Sequence, residues 1–494
     1  MNGNAAKEVP ALYFWLVMVL LALAVSFAFQ GTRGLYETSE GRYAESAREM
    51  IETGNYLEPT LGYRPHWTKP PMTYWAIAGG MRILGCNEWG ARLFNSVALL
   101  ATILALAYVA ATLWGKAVGL TAGLIYASSP FPVLAANALT TDTLLTLWEV
   151  CAVLCYLRAC HGSSPRERQK WMAAMWTFFG LGFLTKGPPA LIPLIPVILW
   201  NFRYKGVPRF FPPVGIILFF LLGFSWYVVV CLRHPELVSY FLGVEVIDRV
   251  TSSGMHHSEW YQPFVQYLPV LTLGAGPWIY FGWRILWKRR LLSPGSLWSA
   301  LRRESMGSFL LLWLLLPLIL FFLVKSRLVL YVLPLYAPIA LAIARGLWEG
   351  GQGVTTMRSI LIVALLAGVA LIGIKGVVSF YPNKNNTRQL YEACREVSGE
   401  GARFAVFNNP KLHGLQFYLN GHLRRVSPTG KEMWADGSIE DALREMKASE
   451  SERSFVLISD EQHSSSLHRA LKESGIPFRQ VDKKHWILFV TGGK

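Results

Sequence analysis

Between Leu35 and Trp75 the chain reads LYETSEGRYAESAREMIETGNYLEPTLGYRPHWTKPPMTYW, a charge-dense stretch set between apolar blocks. A connection needs only a handful of residues, so a stretch of about forty carrying eleven acidic or basic side chains is a working part. The groups that could do chemistry are two carboxylates, Glu40 in this stretch and Asp142 in LTTDTLLTLW, and the cations Lys69, Lys186, Arg249, Lys325 and Arg327. A carboxylate can deprotonate or orient an acceptor hydroxyl and stabilise a cationic sugar carbon. Ammonium and guanidinium groups stabilise a phosphate leaving group as its charge develops. Each residue also has a plainer use: Glu40 as a solvated side chain, Asp142 as a helix N-cap, and Lys325 or Arg327 as a side chain reaching from the membrane to its surface.

These groups must be positioned by helices. Glu40 to Thr53 is predicted as an amphipathic helix, with Tyr43, Ala47 and Met50 or Ile51 on one face and Arg42, Glu45, Glu49 and Glu52 on the other. Thr38 or Ser39 is placed to cap it, and Gly54 to stop it. By itself such a helix could simply lie on a bilayer with its polar face solvated. The rest of the chain makes a membrane the setting: 494 residues, 53% hydrophobic and 16% charged, with 19 Trp and 27 Phe and a mean hydropathy of +0.33, describe an integral membrane protein. The net charge of +16 does not indicate nucleic acid, because Lys and Arg fall in short clusters between apolar runs, as cytoplasmic loops do. The six cysteines lie mostly within apolar runs, without metal-binding spacing, and are expected in the core.

Apolar runs occur near 11–30, 93–114, 117–135, 143–160, 171–184, 188–201, 211–232, 263–287, 308–324, 328–345 and 359–377. The first is expected to be a retained membrane helix and not a cleaved signal peptide. The fold class expected is a polytopic α-helical membrane protein of roughly 11–13 membrane helices with a small C-terminal extracytoplasmic α/β domain. Residues 1–377 form the membrane domain, with a catalytic outer loop at 31–92, and residues 378–494 the α/β domain. Clusters at Lys116, 158–170, 203–209, 288–303 and 345–358 fall in alternate gaps, which the positive-inside rule makes cytoplasmic. That alternation requires 72–85 to be juxtamembrane or re-entrant. It places Glu40, Lys69, Asp142, Lys186, Glu245, Arg249, His256, His257, Lys325 and Arg327 on the outer face, where gathered ionisable groups imply a cavity. After Val377, RFAVFNN, GLQFYLNG, SFVLISD, HSSSLHRALKESG and HWILFVTG alternate strands with helices. This domain has no Gly-rich phosphate loop, and Asp460 and His463 form no triad. Its expected role is structural or acceptor docking.

SEGRYAESAREM, TGNYLEPTLG and WTKPPMTYW, followed in order by LTTDTLLTLW, LTKGPPAL, GVEVIDRV, SEWYQPFVQYLP and VKSRLVLYVLPLY, resemble the motifs of polyprenyl-phosphate-sugar glycosyltransferases of the GT-C fold. The resemblance covers roughly residues 10–345 and is greatest to the bacterial lipid A aminoarabinose transferases, more distantly to protein O-mannosyltransferases. It implies catalytic carboxylates at Glu40 and Asp142 and donor-phosphate contacts at Lys69, Arg249 and Tyr331, to which the cations Lys186, Lys325 and Arg327 are added. Where the family has an Asp-Glu pair this chain has Ser39-Glu40. Where some members place a metal-contacting Glu before Lys-Pro it has Thr68, with His66 nearby as a structural neighbour. No metal ligand set is therefore assigned, and a divalent metal stays open as cofactor. The expected partners are a polyprenyl-phosphate-linked sugar donor, a lipid, glycan or protein acceptor, and membrane lipids; nucleic acid is not among them. The expected activity is inverting transfer of the sugar at the extracytoplasmic face of the bacterial inner membrane. The alternative is a secondary transporter or lipid flippase, which would show paired halves and midplane ionisable groups.

Residues 31–92 and 378–494 are accordingly expected on one, extracytoplasmic side. Cysteine labelling of intact cells checks this: both regions should react with an impermeant thiol reagent, and labelling of one with protection of the other would mean that 72–85 crosses.

Overall fold

The computed structural model describes residues 12–203, 209–243, 259–290, 293–303, 305–325, 327–349, 354–398, 401–448, 454–483 and 485–492. The chain forms two compact units interleaved in sequence, one of Met1–Gln30, Trp67–Ala76 and Arg92–Val377, the other of Gly31–His66, Ile77–Ala91 and Val378–Lys494. Most of the polar stretch thus belongs with the C-terminal domain.

The first unit is helical. Among its described residues and the start of the long Glu88–Trp114 helix, five helices are long and apolar enough to cross a membrane: Glu88–Trp114, Thr141–Cys160, Met306–Leu323, Val329–Trp348 and Thr356–Phe380. A sixth is counted if Pro213–Gly223 and Ser225–Arg233, bent by 42°, make one span. The sequence expectation was roughly eleven to thirteen, and glycine and proline account for much of the difference. The 263–287 run divides around Gly274, Gly276 and Pro277 into Gln262–Leu273 and Trp278–Lys288, and 188–201 opens with a 3-10 turn at Pro188–Leu191 before a helix at Leu194–Arg203. Residues 72–85 form the helix Met72–Leu84, too short at about 1.5 Å per residue to span the bilayer core. Thr141–Cys160 and Pro165–Lys186, joined by four residues, pack side by side as an antiparallel hairpin. Val150, Val153, Met175 and Phe179 are fully buried between them and their neighbours.

The second unit contains a small hairpin, β1 (Thr60–Leu61) with β2 (Arg64–Pro65), and a mixed sheet of β3 (Arg403–Phe407), β4 (Leu423–Ser427), β5 (Gly437–Ser438), β6 (Phe455–Asp460), β7 (Phe478–Lys483) and β8 (Trp486–Thr491). The sheet order is β5-β4-β3-β6-β8-β7, parallel from β5 to β6 and antiparallel at β8 and β7. Alternate side chains leave the strands on opposite faces. Phe404, Val406, Val456 and Ile458 pack with Leu390 and Leu415 from the helices Thr387–Val397 and His413–Tyr418. Ala405, Phe407, Phe455 and Leu457 pack on the other face with Leu443 and Leu471 from Ile439–Ala448 and Glu461–Ser474. The α/β domain expected after Val377 is therefore a three-layer sandwich.

The helix predicted from Glu40 spans Ser39–Thr53 and ends at Gly54, whose φ of 71° suits glycine and whose N–H reaches the Met50 carbonyl. Thr38 occupies the cap position without a side-chain bond; instead Glu40 accepts the Tyr36 N–H at 2.8 Å. Both faces of the helix are covered, since Glu45 and Glu49 are fully buried and Arg48 is buried with them. The buried charges Glu40, Glu45, Arg48 and Glu49 are matched inside the unit. Arg33 grips Glu40 through two bonds of 2.7 Å, and Arg48 holds Glu45 at 2.8 and 2.9 Å. Glu49 fixes the β1–β2 hairpin by accepting the Thr60 hydroxyl at 2.6 Å and the Gly62 N–H at 2.7 Å.

The helix crosses His413–Tyr418 at a pair of glycines: a Cβ at Gly41 would stand 2.7 Å from Gly414 Cα. Backbone cannot yield as a flexible side chain does, so Gly41→Ala is expected to cost about 1–3 kcal/mol. Thermal unfolding in detergent checks it: an unchanged Tm would show that the two helices separate without cost.

Candidate active site

The hairpin of Thr141–Cys160 and Pro165–Lys186 brings the two ends of its helices together. The helices run about 30 Å each at 1.5 Å per residue, so the first turn of one meets the last turn of the other. Asp142 begins the first helix, its N–H bonded to the Thr140 hydroxyl at 3.3 Å, and Lys186 ends the second. Lys186 Nζ donates to Asp142 Oδ1 at 2.5 Å, with both side chains about nine-tenths buried. Each charge also has the favourable sign for its helix terminus. Gly187 turns the chain away with φ 74° and ψ −144°, backbone angles open to glycine and costly for other residues.

This pair faces a cavity of 520 Å³ within the first unit. Lys69, from the TKPP loop, lines it and donates to the Thr68 carbonyl at 2.7 Å. Tyr331, in the 3-10 helix Val329–Leu335, lines it too, and Lys186 Nζ lies 4.8 Å from the centre of its ring. The walls are otherwise largely apolar, with Phe183, Phe224, Phe241 and Phe321 among them. One charged lining residue, Glu149, was absent from the sequence-derived set. It stands seven residues after Asp142, on the same helix face, and is 5% exposed. The charged groups acting on it are Lys186 and Asp142. Two lysines and two carboxylates thus share an apolar chamber.

The structure brings Lys69, Asp142, Lys186 and Tyr331 together at this cavity. Lys325 is exposed and Arg327 buried, the latter donating to the carbonyls of Glu259 at 2.7 Å and Phe322 at 3.3 Å; neither lines the cavity. Glu40 belongs to the second unit and is engaged by Arg33 and the Tyr36 N–H. Arg249, with Glu245, His256, His257 and most of GVEVIDRV, lies outside the described residues. Among the described residues no three His, Cys, Asp or Glu side chains are grouped to hold a metal ion. The carboxylates at the cavity are Asp142 and Glu149, and Asp142 is engaged by Lys186.

A family model described as dolichyl-phosphate-mannose-protein mannosyltransferase matches residues 68–229, the stretch that carries Lys69, Asp142, Glu149 and Lys186. The undecaprenyl phosphate-alpha-4-amino-4-deoxy-L-arabinose arabinosyl transferase of Pectobacterium carotovorum is 32% identical over 343 residues, covering 68% of this chain and 58% of that protein. The protein of the same name from Erwinia tasmaniensis is 29% identical over 353 residues, covering 68% and 60%. The match therefore spans about three fifths of these relatives' length. The crystal structure of ArnT from Cupriavidus metallidurans bound to undecaprenyl phosphate superimposes with a TM-score of 0.78 at 18% identity, covering 98% of this chain and 100% of that one. An Archaeoglobus fulgidus oligosaccharyltransferase is more distant, with a TM-score of 0.51 at 12% identity, covering 98% and 74%. The GT-C resemblance carried by the motifs thus holds across the fold as well as the sequence, and the chain is a relative of the undecaprenyl phosphate-aminoarabinose transferases.

Proposed function

We propose that the chain is a polyprenyl-phosphate-sugar glycosyltransferase that moves 4-amino-4-deoxy-L-arabinose from undecaprenyl phosphate to lipid A, with inversion, at the periplasmic face of the inner membrane. The observation that carries this reading is the Lys186–Asp142 pair with Lys69 and Tyr331 at one apolar-walled cavity. The names of the relatives supply the sugar and the carrier. Apolar walls suit a prenyl chain, and two ammonium groups suit the phosphodiester that joins it to the sugar. In the transfer, the bond between the anomeric carbon and the phosphate oxygen breaks as the acceptor oxygen bonds to the opposite face of that carbon. The electron pair leaves on polyprenyl phosphate, and Lys69 and Lys186 offset the growing charge. Asp142 orients the acceptor and takes its proton where the acceptor is a hydroxyl; an acceptor phosphate is already ionised and needs no base. Tyr331 supplies one further hydroxyl to the phosphate. Arg249 is assigned to the same phosphate, as the motifs imply. We assign Glu149 to holding Lys186 in the chamber, and Glu40 to fixing the polar helix through Arg33.

Mass spectrometry of lipid A from cells with and without the protein tests the function: a mass increase of one aminopentose is expected, and a gain of another mass, or on another envelope molecule, would replace the sugar or acceptor. For the site, Lys69→Ala and Asp142→Asn are each expected to lower turnover about 10²-fold or more at matched expression, the scale for losing a positioned charge or base. Near-parental turnover in either would remove that residue from the reaction.

Glu40→Gln separates positioning from chemistry. Breaking a buried pair costs about 3–5 kcal/mol, so this variant is expected to lose thermal stability together with turnover, whereas Asp142→Asn is expected to lose turnover by the larger factor. Full stability with lost turnover in Glu40→Gln would place Glu40 in the chemistry.

A further inference from the structure

A second cavity, of 960 Å³, lies wholly within the second unit, at the amino-terminal ends of β3, β4 and β6. Its ionised side chains are Arg395, Arg403, Arg424, Arg425, Asp436 and Glu445, four positive and two negative, with His422 beside them. Glu445 is shared by Arg403 and Arg424, and Asp436 accepts the backbone N–H of Arg425 at 2.8 Å. Arg425 is the informative member. Its side chain is 5% exposed, hydrogen-bonds Gln416 Oε1 at 2.7 Å and His413 Nδ1 at 2.9 Å, leaves Nε without a hydrogen-bond partner, and has Asp436, Glu45, Glu37 and Glu49 acting on its charge without a direct side-chain bond. His413 is held neutral, since burial and the adjoining Arg425 and Arg42 push it down to about 3. A buried guanidinium with an unused donor is costly unless something completes it. Tyr63, Tyr391 and Tyr418 form aromatic walls, the last two with rings stacked at 5.6 Å. The volume is at the upper end of small-molecule sites, about 300–1,000 Å³.

We propose that this cavity binds a phosphate-bearing saccharide. Arginine forks match phosphate oxygens in pairs, the net positive lining requires an anion, and tyrosine faces with Gln416 and Asn420 suit a sugar's apolar face and hydroxyls. The inference does not rest on the donor-cavity reading, and it gives the α/β domain a ligand of its own. A phosphosugar headgroup carried by a lipid and a soluble sugar phosphate share this chemistry.

The test is calorimetric titration of the full chain in detergent with glucose 1-phosphate, with glucose as the neutral control. Glucose 1-phosphate is expected to bind at least tenfold tighter than glucose. The double variant Arg395→Gln and Arg424→Gln is expected to weaken it at least tenfold, and Lys69→Ala to leave it unchanged. Arg395 is exposed, so Arg395→Glu alone preserves the fold and should also weaken binding. Displacement of bound glucose 1-phosphate by phosphatidylcholine nanodiscs containing lipid A, but not by plain phosphatidylcholine discs, would identify the lipid headgroup; binding without such displacement would identify a soluble sugar phosphate. Equal affinity for glucose and glucose 1-phosphate, undiminished binding in the arginine variants, or loss in Lys69→Ala would overturn the proposal.

Discussion

The ion pair between Asp142 and Lys186 is the constraint on which the first unit's chamber depends. Two charges taken out of water are tolerated only while they hold each other, because removing one leaves the other buried and uncompensated at a cost of about 3–5 kcal/mol. The pair forms because two helices of similar length are joined by a short turn, and because Gly187 and the following prolines end the second helix where Lys186 meets Asp142. A longer or shorter second helix would carry Lys186 past its partner. The close helix packing behind the pair serves the same register: a Cβ on Gly223 would come within 3.3 Å of the Gly180 carbonyl, so the bent pair of helices rests directly on the hairpin.

The second unit solves a different problem with similar means. The polar stretch is too charged to bury unless its buried charges find partners, and most find them locally: Arg33 with Glu40, Arg48 with Glu45 and Glu52, Glu49 with the hairpin. Glu37 illustrates the margin. Burial pushes its carboxyl above the usual range even though it accepts the Gly414 N–H at 3.0 Å. Farther along, Arg388 binds Glu88 at 2.6 Å and the carbonyls of Gly31 and Thr32, while Tyr418 donates to the same Glu88 at 2.5 Å. The charge density that marked 35–75 as a working part is largely spent on pairs within it, while Glu37 and Arg64 tie it to the α/β domain.

What was legible in the sequence follows from how local each signal is. The helix ending at Thr53 and the strand–helix alternation after Val377 are patterns of a few residues, and the helix holds to within a residue. The alternation holds for β3, β6, β8 and the helices His413–Tyr418 and Glu461–Ser474 but misses β4, β5, β7 and the helices Thr387–Val397 and Ile439–Ala448. Lys69, Asp142, Lys186 and Tyr331 came from motifs and meet at one cavity. Glu149 was hidden because a single carboxylate inside LLTLWEV is averaged away by its apolar neighbours; its spacing of seven from Asp142 was the available signal. Lys325 and Arg327, in the same unit, share the cavity residues' chemical type but not their place, and side-chain type alone does not distinguish a phosphate ligand from a backbone tie such as Arg327 makes. The sheet order was not legible either, since β6 returns beside β3 past β4 and β5 through contacts that no local pattern encodes.

The charge balance of the first cavity bears on what can occupy it. Two lysines and two carboxylates line it, and of these Lys186 and Asp142 already hold each other. Under the proposed transfer, a phosphodiester would offer Lys186 a second anion, so that drawing the ammonium away from Asp142 would not leave the lysine unpaired and the exchange would avoid the penalty of simply opening the pair. On the same proposal Asp142 would be released beside the sugar, and only when a donor is present. Glu149, on the same helix face, keeps a second carboxylate within the field of Lys186 during that exchange. On this account the pair that holds the helices in register also keeps the carboxylate occupied until the donor's own charge frees it.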